Sequence, residues 1–136
     1  MDLSERVNIV VWYKEKNKKE VKEFFELVSR KFSPDIDEVS NQLNEITSKL
    51  PTIRYMLDRA NAELDMAERR AFEHEDIPKP QHGNGKQRDA FVVDVCTPYR
   101  YIRNILEGLY ETGKEKINYG KLILRKETNH YDVATL

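Results

Sequence analysis

The sequence predicts an all-α fold: an antiparallel hairpin of two long helices, at about 34–72 and 88 or 98–126, with an additional N-terminal helix in an elongated helical bundle. The first observation is an unbroken 3-4 alternation of apolar residues from Ile36 through Val39, Leu43, Ile46, Leu50, Ile53, Leu57, Ala60, Leu64, Ala67 and Ala71. A helix repeats every 3.6 residues, so this spacing gathers them all on one stripe. The second is a matching alternation through Val92, Val95, Tyr99, Ile102, Leu106 and Leu109. The third is composition: 35% charged residues and five glycines in 136 residues suit helices better than a sheet sandwich. The whole chain, 1–136, reads as a single helical domain.

The N-terminal segment is the least determined. Asn8-Ile9-Val10-Val11-Trp12-Tyr13 suits a short strand by its valines and aromatics, but a lone strand would leave its edge unpaired. A helix, interrupted near Asn17, is the preferred reading. Val21, Phe24, Phe25, Val28 and Phe32 then recur on one helical face.

Ser33-Pro34-Asp35 marks the start of the first long helix, with serine as N-cap, proline at the first helical position and acidic Asp35, Asp37 and Glu38 at the positive end of the helix dipole. Pro51 interrupts its backbone ladder. Yet the apolar phase passes Pro51 without a skipped residue, which predicts a kinked but continuous helix.

A loop is expected over 74–87, where two prolines, two glycines and polar residues cluster. Thr97-Pro98 resembles a second N-cap pair, so the second long helix starts either there or, with a kink at Pro98, near Arg88. Past Gly113 two readings stand: a C-cap followed by a hairpin, or a continuing helix whose Gly113 and Gly120 permit close approach, and the helix is preferred. Residues 127–136 read as an irregular tail.

Closure around the loop sets Ala60, Ala67 and Ala71 across from the bulkier Ile102, Val95 and Phe91, so volumes complement. Charge agrees: Ser33–Asp76 holds 11 acidic and 5 basic residues, and Ile77–Leu136 holds 10 basic and 7 acidic. A parallel homodimer along the first stripe would instead oppose Lys49 to Arg54 and Glu63 to Glu68, both repulsive. The hairpin uses one stripe from each helix and leaves Trp12, Phe24, Phe25 and Phe32 to a three-helix bundle or to a partner. These four are the candidate partner-binding residues, and a homo-oligomer is expected.

No catalytic constellation is present, so a non-enzymatic protein is expected, with no cofactor and no metal site. Phosphate-loop and HExxH patterns are missing. His74 and His82 share a loop with carboxylates at no metal-ligand spacing, and Cys96 among valines reads as a buried thiol. Glu68, Glu107 and Glu111 form only half of the paired-carboxylate pattern that helical magnesium pyrophosphatases require. One cysteine excludes an internal disulfide framework, no run of about 18 apolar residues occurs, and the N-terminal residues lack a small-residue cleavage site. A cytoplasmic protein away from membranes is expected, in the host cytoplasm if phage-encoded.

Single-stranded nucleic acid is the leading partner class. Arg69, Arg70, Lys79, Lys86, Arg88, Arg100, Arg103, Lys114, Lys116 and Lys121 are the candidate contacts, interleaved with Tyr99, Tyr101, Tyr110 and Tyr119. Cations alternating with aromatic platforms are the usual means of holding single strands. A net charge of −1 argues against coating nucleic acid by bulk charge, so a repeated patch in an oligomer would supply avidity. The alternative is a protein-protein interaction or structural assembly module, such as a virion connector or an inhibitor of a host protein, with no nucleic-acid binding.

The order of elements from about Leu50 to Arg125 resembles the small phage recombination mediators of the UvsY type. The resemblance lies in size, in a long helix ending in basic residues before an aromatic (AERRAFE), in a polar loop, and in a final helix with LEGLYETGKEKINYGKLILR. It implies a helical ring that binds single-stranded DNA and helps load a recombinase onto strands covered by single-strand binding protein, with Arg69 and Arg70 at the DNA. Here the long helix is acidic, and Glu68, Glu73, Glu75 and Asp76 surround those two arginines.

Overall fold

A computed structural model of the protein describes residues 10, 12–74, 77–78 and 85–135, with side chains as far as residue 127. A π-helical turn, Trp12–Asn17, leads into α1, Lys18–Ser29; α2 spans Ile36–Glu73 and α3 spans Gly85–Thr135. No strand occurs among the described residues. At 1.5 Å per residue, α2 is about 57 Å long and α3 about 76 Å. They pack against each other along their length, and α1 rests on both.

The stripe of α2 is buried as its periodicity requires. Val39, Leu43, Ile46, Ile53, Leu57, Ala60, Leu64, Ala67 and Ala71 all lie in the interior, joined by Met56. Ile36, where the stripe begins, remains exposed at the open end of the hairpin. Val92, Val95, Cys96, Tyr99, Ile102, Leu106, Leu109 and Ile117 face them from α3. The antiparallel register is visible in three pairings: Glu68 with Arg100, Arg54 with Tyr110, and Leu50 with Gly113.

Pro51 sits inside a continuous α2 with its ring exposed, beside the stripe and not in it. The N-cap lies two residues later than Ser33-Pro34 suggests. Asp35 caps α2, its carboxylate accepting from the Asp37 amide at 2.9 Å, while the Ser33 hydroxyl accepts from the Asp35 amide at 3.1 Å and shapes the turn before it.

α3 takes the longer of the two readings at Pro98 and starts at Gly85, so the expected 74–87 loop ends three residues early. Lys86, Gln87 and Arg88 are good helix formers and carry the helix back toward the loop. Thr97 is therefore not a cap: its hydroxyl donates to the Val93 carbonyl at 2.7 Å, one turn back, as threonines inside helices do. Gly113 is likewise not a C-cap, and α3 runs through it. The tail expected to be irregular from residue 127 is helical to Thr135. No glycine or proline follows Gly120, and extending an existing helix costs far less than nucleating one.

Two glycines let α1 and the segment after it approach α3. A Cβ on Gly113 would come within 2.8 Å of both Leu50 Cδ1 and Phe24 Cζ. A Cβ on Gly120 would come within 2.8 Å of Phe32 Cζ and 2.9 Å of Leu43 Cδ1. Phe24, expected as a partner anchor, is therefore core: only 1% of it is exposed, because the missing side chain at Gly113 makes its socket.

Candidate nucleic-acid interface

The ten cations singled out in the sequence do not form one surface. α3 is long and distributes them along its axis. Lys86 and Lys121 stand 35 residues apart on one helix, about 52 Å by helical rise. The set divides into a loop end, a middle and an open end.

At the loop end, Arg69, Arg70 and Lys86 are exposed. Arg88 is half-buried and donates to the Pro78 carbonyl at 2.6 Å, so it fastens the connection between α2 and α3. Lys79 lies outside the described residues. In the middle, Arg100 bridges to Glu68 at 3.3 Å and Arg103 pairs with Glu107 at 3.0 Å. Nε of Arg103 is buried without a hydrogen-bond partner, so this side chain is held against the bundle. Lys114 pairs with Glu111 at 3.1 Å. The three carboxylates of the half-pattern for magnesium, Glu68, Glu107 and Glu111, thus each face a cation. Among the described residues no three His, Cys, Asp or Glu side chains gather as a metal site.

The open end is assembled from two distant stretches of sequence. Gln42 on α2 clamps the segment after α1, accepting from the Ser33 amide at 2.9 Å and donating to the Lys31 carbonyl at 3.1 Å. This holds Phe32 over Gly120, where only a glycine leaves room for the ring. Phe32 then meets Tyr119 with ring centroids 5.9 Å apart, and Lys116 Nζ lies 4.5 Å from the Phe32 centroid. Tyr119 keeps 58% of its surface exposed. Arg30 and Lys31 precede Phe32, and Lys121 follows Gly120; all three are exposed and none has a carboxylate partner among the described residues. The result is an aromatic step of half-buried Phe32 and exposed Tyr119 with Lys116 against it, and with exposed Arg30, Lys31 and Lys121 beside it in sequence.

Arg30 and Lys31 are not among the contacts expected from sequence. Nothing in the linear pattern joins them to residues 116–121; the glycine gap at 120 opposite an aromatic at 32 is the only signal, and it needs the hairpin register to be read. Tyr99, counted among the interleaved tyrosines, is buried, and Tyr110 is half-buried beneath Arg54 at 5.2 Å and Lys114 at 5.0 Å. Arg54 is held above its ordinary pKa by Asp58 and by a hydrogen bond with Tyr110. Tyr101 remains an exposed ring.

The other anchor candidates separate as well. Trp12 is half-buried under Arg59, 5.3 Å from its ring centroid. Phe25 is 60% exposed at the edge of a groove of about 590 Å3 between α1 and α3. Among the described residues no helix is long and apolar enough to cross a membrane.

No family model, no curated protein and no solved structure matches this chain.

Proposed function

We propose that the protein is a non-enzymatic, oligomeric binder of single-stranded nucleic acid, acting as a recombination mediator or accessory factor alongside a recombinase or single-strand binding protein. The observation that carries this reading is the open-end step of Phe32 and Tyr119, with Lys116 against it and exposed Arg30, Lys31 and Lys121 beside it in sequence. Stacking on such rings holds any base, and the surrounding cations take the phosphates. Arg100 and Lys114 add to this only by exchanging a surface carboxylate for a phosphate, which costs little because exposed ion pairs are worth about 0–1 kcal/mol, while Arg103 is held against the bundle.

The step is small, so a single copy binds weakly and repetition in an oligomer supplies the affinity. Arg69, Arg70 and Lys86 at the loop end form a second, separate cluster and are assigned a lesser share.

Fluorescence anisotropy of a labelled single strand, titrated at two salt concentrations with light scattering on the same sample, tests the reading. Binding that weakens as salt rises is expected, because phosphate contacts release counterions. Absence of binding at low salt by protein of known oligomeric state would remove it.

A further inference from the structure

The groove between α1 and α3 has features the nucleic-acid reading does not use. It is lined by Val21, Phe25 and Val28 of α1 and by Ile105, Gly108 and Leu109 of α3. Lys18 and Lys22 stand one turn apart on the α1 side, and among the described residues no carboxylate lines the groove. Neither lysine has an ion-pair partner among the described residues.

Gly108 is the second, independent observation. Glycine inside a helix weakens it relative to alanine. At Gly113 and Gly120 the cause is internal, since Phe24, Leu50, Phe32 and Leu43 occupy the space a Cβ would need. At Gly108 a Cβ would meet nothing within 4 Å. Packing among the described residues gives no reason for a glycine there. A closely approaching backbone from outside does.

We infer that this groove receives a short amphipathic helix of another protein, with its apolar stripe on Ile105, Leu109 and Phe25, its backbone over Gly108 and its carboxylates toward Lys18 and Lys22. The α3 wall from Asn104 to Thr112 is about 12 Å long and α1 from Lys18 to Ser29 about 17 Å, so two to three helical turns fit. Apolar anchors at i, i+3 or i+4 and i+7 match that length. Charge complementarity sets the partner apart from a second copy meeting the same groove face to face, which would bring lysines toward lysines.

A displayed library of single-helix peptides, selected on the intact protein, tests this whatever the identity of the natural partner. Enriched sequences should combine that apolar spacing with flanking Asp or Glu. Their binding should fall about tenfold when Lys18→Glu and Lys22→Glu are combined, and be abolished by Gly108→Leu. Gly108→Ala gives the sharpest contrast: it should raise Tm by about 2–4 °C through better helix propensity while weakening the peptide. Failure to enrich, enrichment of neutral or basic helices, or indifference to Gly108→Leu would overturn the inference. So would a change of oligomeric state in Gly108→Leu, which would make the groove a contact between copies. Single-strand binding should be unchanged in Gly108→Ala and Gly108→Leu, which alter no charge, so the two readings fail separately.

Discussion

The ring of Phe24 occupies the space that a side chain at Gly113 would fill, with Cζ 2.8 Å from the position of the missing Cβ. This contact joins α1 to the hairpin, and it reverses the usual effect of a helical glycine. Gly113→Ala should destabilise the protein by about 1–3 kcal/mol despite its better propensity, because the added methyl overpacks the contact and forces Phe24 and Leu50 to shift. Phe24→Ala should cost about 3–5 kcal/mol by emptying the socket. Urea unfolding of both, with Gly108→Ala as the variant of opposite sign, checks the assignment.

Arg100 and Glu68 connect α3 to α2 across the middle of the hairpin, but both remain more than a third exposed. A double-mutant cycle with Arg100→Ala and Glu68→Ala should give a coupling of about 0–1 kcal/mol that shrinks with added salt. A larger, salt-insensitive coupling would mean that the pair is fixed in place and that Arg100 is not available to phosphate.

Burial raises the pKa of Tyr13 above the usual phenol value, and the neighbouring Tyr101 raises it further. The folded state therefore keeps the proton that the unfolded chain releases first. Stability from this group is complete below about pH 10 and is lost as pH rises through the folded value. Thermal melts between about pH 9 and 11 should show a smaller loss of Tm for Tyr13→Phe than for the parent protein. Equal losses would place Tyr13 in water.

Much of the architecture was legible because it depends on period. The stripes from Ile36 and Val92 named the faces that are buried, and phase across Pro51 and Pro98 indicated helices that pass through their prolines. The ends were harder, since they are decided by local competition. Asp35 outcompetes Ser33 as a cap by reaching the Asp37 amide, and α3 continues past residue 127 because nothing stops it. The candidate interface was legible only in part. Lys116, Lys121 and Tyr119 stand out in the sequence, but Phe32, which Arg30 and Lys31 precede, is brought to them by the register of a hairpin and by a glycine gap. Phe24 and Phe25 are adjacent and equally apolar; only the position of α1 sends one into the core and the other to a groove.

The central claim is that single strands are held at the open end and not along the whole basic face. Anisotropy with one labelled strand, comparing Lys116→Glu/Lys121→Glu with Arg69→Glu/Lys86→Glu at several salt concentrations, tests it most directly. The open-end pair should weaken binding by about tenfold or more and flatten the salt dependence, while the loop-end pair has the smaller effect. Equal losses from both pairs, or no loss from the open-end pair, would contradict it.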